Sequence, residues 1–244
     1  MADQQKEIKR QRERSERFEV AFNQIHTELK KLERNADTDQ FLELLHKVKN
    51  RHAPIRRYFD DLKSYARLRN ALVHEKSRKN FYIAEPHPEV VEQIESIAEF
   101  LQVPPSILTV ASKPVKTFDA DEEVKVALEE MEGHEFTQYP IYEDGHFKFL
   151  MTESGLRRYF ASRLEGSKID LAGQKLRDVQ KHEKTNTVKI VSKEMNIFEL
   201  QDLYDSRSEE ENKLEAVIIT DNGSFKEKPI GIVSSWDLIK MDTD

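Results

Sequence analysis

The chain has 244 residues, more than one small domain needs and enough for two, each with a buried core. Zero cysteines exclude disulfides, thiolate metal sites and a cysteine nucleophile, and the lack of a long apolar run or a signal-peptide pattern argues against a membrane and for a cytoplasmic protein. Residues 1–81 carry 20 Lys and Arg against 13 Asp and Glu, and residues 82–244 carry 19 against 33, so a basic first third (net +7) precedes an acidic remainder (net −14). A basic segment suits an anionic partner, although solvated helix faces are the commoner cause of such a run.

Residues 2–34 contain no Gly or Pro, and Phe18, Phe22, Ile25, Leu29 and Leu32 recur at helical spacing, which predicts a long first helix. Its first sixteen residues are nearly all polar and include Lys6, Lys9, Arg10, Arg12 and Arg14: a solvated face, or on a second reading a nucleic-acid contact. The stretch Asn35-Ala36-Asp37-Thr38-Asp39 breaks that helix and caps a second, in which Phe41, Leu42, Leu44, Leu45 and Val48 make an apolar face. Pro54 suits the start of a third helix carrying Ile55, Tyr58, Phe59, Leu62, Tyr65, Ala66, Leu68 and Leu72, and a fourth is expected over 89–101 after Pro86-His87-Pro88. Four helices with short connections predict an antiparallel four-helix bundle.

The third helix ends in Arg67-Leu68-Arg69-Asn70-Ala71-Leu72-Val73-His74-Glu75. Arg69 and His74 are five apart, about 140° around a regular helix, so they can converge only if the helix stops near His74. This combination at this helix resembles the HEPN superfamily of helical-bundle proteins, whose signature is Arg, often followed by Asn, and then His at the end of the third helix. The resemblance implies dimerisation through this surface. In active members it implies a metal-independent ribonuclease, with Arg69 clamping the scissile phosphate, His74 as general acid or base and Asn70 orienting. The plain reading of the same residues is structural: Arg69 and Asn70 finish a helix, and His74 is favoured there by the macrodipole. His26, His46, His52, His87, His134, His146 and His182 are dispersed without ligand spacing, so no metal site is expected.

From residue 105 the chain repeats itself. The first unit runs Pro114-Val115-Lys116-Thr117-Phe118, a helix over 122–132, a strand over 137–142, the turn Asp144-Gly145, then a strand and a helix opening at Thr152-Glu153-Ser154-Gly155. The second runs Leu176-Arg177-Asp178-Val179, a strand over 187–191, a helix over 195–204, a strand over 216–220, the turn Asp221-Asn222-Gly223, then the strand and helix of Gly231-Ile232-Val233-Ser234-Ser235-Trp236-Asp237. A hydroxyl that opens a helix and an acid three residues later suit the phosphate and the ribose diol of a nucleotide. Asp237 can equally be an ordinary first-turn acid, and the single tryptophan, Trp236, is read as a packing or interface residue rather than one that stacks on a base.

This order and spacing resemble tandem CBS domains, β-α-β-β-α units that often bind adenosine nucleotides. The resemblance implies Ser234 and Asp237 as phosphate and ribose ligands, with Thr117, Phe136 and Thr137 facing them from the first unit. Thr152 is the weaker counterpart, because Gly155 stands where its acid should be, so one site per chain is expected. Glu215, where some members carry a basic phosphate ligand, disfavours di- and triphosphates and leaves AMP, adenosine or another adenosyl compound. An empty structural pair is the alternative.

The sequence therefore predicts an α+β chain: an all-α four-helix bundle, HEPN-like, at 1–104, then CBS domains at 105–168 and 169–244. The expected function is regulatory, an adenine-nucleotide sensor adjusting the bundle as a homodimer, with no cofactor required. The alternatives are a ribonuclease regulated by the pair, with RNA as a further partner, and a dimerisation module without chemistry.

Overall fold

The structure, a computed structural model, describes residues 2–33, 37–74, 85–133, 136–165, 168–206 and 213–237. Asn35-Ala36, Glu75, His134, the acidic run at 209–211 and the last helix beyond Asp237 lie outside the described residues, as does the side chain of His74. The chain mixes helix and sheet and divides into two compact units.

The first unit comprises Met1–Pro105 and Asn196–Asp202. Its helices are α1 (Ala2–Leu32), α2 (Phe41–Arg51), α3 (Ala53–Arg57), α4 (Phe59–His74) and α5 (Pro88–Gln102). Phe18, Ile25 and Leu29 are fully buried at spacings of seven and four, so one stripe of α1 faces α2, α4 and α5. Leu44, Leu45 and Val48 of α2, Leu62 and Leu72 of α4, and Ile94 and Ile97 of α5 close the core around it. Phe18 meets Tyr65 edge-on at 5.9 Å, and Phe22 stacks on Phe41 at 4.3 Å.

The expected third helix is broken at Tyr58, whose N–H donates to the Ile55 carbonyl three residues back and tightens the chain locally. That turn buries Ile55 and sets Tyr58 against Phe100, 5.6 Å between ring centres. A second departure concerns residues 196–202, assigned by the sequence to the second repeat. Ile197 and Phe198, the first residues of α8 (Ile197–Asp205), belong to the helical core instead, with Phe198 edge-on to His52 at 5.5 Å and to Phe100 at 5.8 Å.

The second unit, Ser106–Met195 and Leu203–Lys240, holds two three-stranded sheets of identical topology. In one, β1 (Phe118–Asp119) pairs parallel with β2 (Gln138–Glu143), which pairs antiparallel with β3 (His146–Thr152); α6 (Val124–Gly133) makes the crossover and α7 (Glu153–Arg163) follows β3. In the other, β4 (Val188–Ser192) pairs parallel with β5 (Ala216–Thr220), and β5 antiparallel with β6 (Gly231–Ser234). Gln138 lies opposite Thr152 and Ala216 opposite Ser234, so Thr152 and Ser234 hold equivalent places in the two sheets. All five residues of β5 are buried, as a strand covered on both faces requires. Ser112 and Ile232 exchange backbone hydrogen bonds of 2.9 and 3.2 Å, which lays the lead-in to the first sheet along the edge of β6.

The two stretches that open the repeats make little or no sheet. Pairing at 114–118 begins only at Phe118, because Pro114 has no N–H to give and Val115 to Thr117 make no ladder. Leu176 to Val179 is the start of a 3-10 helix, Leu176–His182, whose buried residues Leu176 and Val179 are one turn apart at three residues per turn.

Candidate nucleotide site

Ser234 ends β6 and a helix begins at the next residue. At the third position of that helix Asp237 turns back: its Oδ2 accepts from the Ser234 N–H at 2.7 Å and from the Ser234 hydroxyl at 2.8 Å. The acid thus caps the helix start, with a carboxylate against the positive end of the dipole. The strand below is held by Tyr204, whose hydroxyl donates to the Val233 carbonyl at 2.8 Å; burial, with the Asp237 charge adding, raises that phenol above its ordinary range.

Beside this capped turn lies a cavity of about 390 Å³. The structure brings four of the expected residues to its wall, Phe136, Thr137, Ser234 and Asp237, and adds Ser112, Gln138, Ile232 and Trp236. Trp236, read from the sequence as a packing or interface residue, is 71% exposed, and Phe136 is 43% exposed, so both aromatic side chains reach solvent at the cavity. Among the described residues lining it, Asp237 alone carries a charge. The wall can therefore accept hydroxyl hydrogens, donate through Thr137 and Gln138, and cover a planar ring.

The added residues had uneven signals. Ser112 arrives through its bridge to Ile232, which is not local in sequence, whereas Gln138 directly follows the expected Thr137. Trp236, between Ser234 and Asp237, could have been found by spacing.

The other expected residues stand elsewhere. Thr117 is not among the lining residues. Thr152 caps α7, accepting from the Gly155 N–H at 3.0 Å, and is itself taken up by Glu183, which accepts from its N–H at 2.7 Å and its hydroxyl at 2.9 Å. Burial raises the Glu183 carboxyl above its ordinary value, against the lowering effect of those two bonds. In the helical unit, Arg69 is half-buried and Asn70 exposed on α4, of which His74 is the last residue. Burial, with the Lys30 and Arg69 cations adding, lowers the His26 imidazole.

Residues 107–158 match the family model of the CBS domain, which places a CBS domain in the first half of the second unit. No curated protein matches the sequence. Among the solved structures similar to the chain are CBS-domain proteins. The CBS domain of the bacterial CNNM/CorC family Mg2+ transporter is 17% identical, with 64% of this chain and 85% of that one covered and a TM-score of 0.43. The CBS domain pair of protein MJ0100, solved with 5'-methylthioadenosine and S-adenosyl-L-methionine, is 15% identical over 56% of this chain and 94% of that one, with a TM-score of 0.41. A CBS domain-containing protein of unknown function from Kribbella flavida is 13% identical over 56% and 96%, with a TM-score of 0.43.

Proposed function

We propose that the second unit is a regulatory CBS pair that binds one adenosyl ligand in the cavity at Ser234 and Asp237, and that the helical unit is the element it regulates. The supporting observation is the composition of that wall: one carboxylate, several neutral hydrogen-bonding groups, two exposed aromatic side chains and, among the described residues, no cation. Asp237 would accept both hydroxyls of a ribose, the Ser234 hydroxyl, turned from Asp237 to the ligand, would take the group at its 5' end, and Trp236 and Phe136 would cover the base. A wall whose only charge is negative favours adenosine, AMP or an S-adenosyl compound over di- and triphosphates. Calorimetry with adenosine, AMP, ATP and S-adenosylmethionine tests this. The expected result is one site per chain with ATP weakest; no binding by any of the four, or ATP the tightest, overturns it.

A second reading of the helical unit has its own support: Arg69 and Asn70 are consecutive on a helix whose final residue is His74, the arrangement a HEPN-type ribonuclease needs. On either reading we propose a homodimer, since a chain with two kinds of self-complementary domain closes most readily on a two-fold axis. Light scattering that gives a monomer at tens of micromolar would reject it.

A further inference from the structure

The two halves of the second unit solve the same local problem with different acids. Thr152 and Ser234 end equivalent strands and open a helix, and each offers an N–H and a hydroxyl there. Ser234 gives both to Asp237, three residues on. In the first half position 155 is glycine, and Thr152 gives both to Glu183, which comes from the segment leading to β4.

The fit is specific. A Cβ built on Gly155 would lie 1.7 Å from Glu183 Oε1, so the missing side chain is what makes room for the carboxylate. Arg158, one turn along α7, donates from Nε to the His182 carbonyl at 2.7 Å and holds a terminal nitrogen 3.8 Å from Glu183 Oε2, which fixes the segment in place. Glu183 and Asp237 each line a cavity, of about 410 and 390 Å³, but the Glu183 side chain is only 4% exposed.

We propose that Glu183 is a built-in occupant of the first half's ligand niche, and that it is the residue restricting the pair to a single site. This rests on the reading of Ser234 and Asp237 as a ligand site, because only then is the equivalent niche one that would otherwise bind. Ser234 is bonded to its acid in the same way, but Asp237 is itself a proposed ligand contact and stays in place, whereas a ligand at Thr152 would have to displace the buried, tethered Glu183 side chain.

Calorimetry on the full chain with AMP and with adenosine tests the proposal in wild type, Glu183→Ala and the double variant Gly155→Asp with Glu183→Ala. The double variant rebuilds in the first half the acid that serves Ser234, so it keeps a capped α7 if the single variant does not fold. The expected stoichiometry is one in wild type and two in either variant, the second site weak in Glu183→Ala, where no acid takes the ribose, and comparable to the first in the double variant, where the introduced acid supplies it. One Asp237-dependent site in all three proteins overturns the inference and leaves the single-site reading standing. No site in wild type but one in a variant sustains the inference and removes that reading; no binding by any of the three sinks both.

Discussion

Asp237 holds Ser234 through one oxygen, Oδ2, which takes both the backbone N–H and the hydroxyl of that residue. The acid is therefore part of the fold and part of the proposed site, and the two roles separate by substitution. An asparagine oxygen can still accept the capping bonds, so Asp237→Asn leaves the melting temperature close to wild type. It weakens ligand binding by losing hydrogen bonds to a charged acceptor, about 1.5 to 3 kcal/mol, or roughly tenfold to more than a hundredfold. Asp237→Ala loses the same affinity and also about 0.5–2 kcal/mol of stability with the cap. Calorimetry and thermal melts on the two variants check this; unchanged affinity in Asp237→Asn would exclude the carboxylate from the site.

Trp236 is the single tryptophan of the chain, and it is exposed at the cavity, so its fluorescence reports on that cavity alone. The free protein should emit as a solvated indole, and a saturating adenosyl ligand should quench or blue-shift the emission. If the ring covers the base, Trp236→Ala costs about 1–3 kcal/mol of binding, the range for a stacked base. A ligand that binds by calorimetry without moving the emission would place it elsewhere.

What the sequence could reveal of this fold followed from how local each signal is. Both sheets and their crossovers were legible because each element carries its own periodicity, and Ser234 and Asp237 because they are three residues apart. Ser112 was not, since a bridge across more than a hundred residues brought it to the cavity. Glu183 was invisible for the same reason: Gly155 read as an acid missing, while the acid was present 28 residues later. Trp236 was assigned by sequence to packing or an interface, and its exposure at the cavity is set by the fold around it.

Phe198 shows the same limit in the core. Its helix was legible, but not its place among the aromatic rings of the helical unit, where it is nearly fully buried. Phe198→Ala should cost about 3–5 kcal/mol, the usual range for emptying a buried phenylalanine site. Urea denaturation followed by circular dichroism at 222 nm, where the helical unit dominates, measures it; a loss below about 1 kcal/mol would mean the ring is not part of that core.

The loop between β5 and β6 predicts a pH response. Glu227 accepts from the side chain and backbone N–H of Asn222, at 2.6 and 2.8 Å, and bonds to Thr220 and Ser224 add to them, so its carboxyl falls from 4.5 to about 2. A pKa lowered by folding contributes stability above the unfolded value and loses it as pH falls through the folded one. The loop should therefore hold at neutral pH and loosen between about pH 4.5 and 2, with a Glu227 carboxyl titration near pH 2 by NMR. Glu227→Gln should remove this part of the acid sensitivity, and an ordinary titration near pH 4.5 would show that the loop is not so held.

If the helical unit is a ribonuclease, its chemistry is fixed by the residues at the end of α4. Arg69 would pair with phosphate oxygens, His74 would move a proton near neutral pH, and the ribose hydroxyl would be the nucleophile, leaving cyclic phosphate ends. Cleavage should persist in a chelator, because neither role uses a metal. His74→Ala should lower the rate by about two to four orders of magnitude, the range for losing a general acid or base. Arg69→Ala should fall comparably, by loss of charge stabilisation in the transition state. An adenosyl ligand should change the rate by the ratio of its affinities for the two arrangements it distinguishes, and a ligand without such a difference changes nothing. Full activity in both Arg69→Ala and His74→Ala would trace any cleavage to a contaminant, and inactivity across single-stranded, duplex and transfer RNAs would leave the unit a dimerisation or binding module.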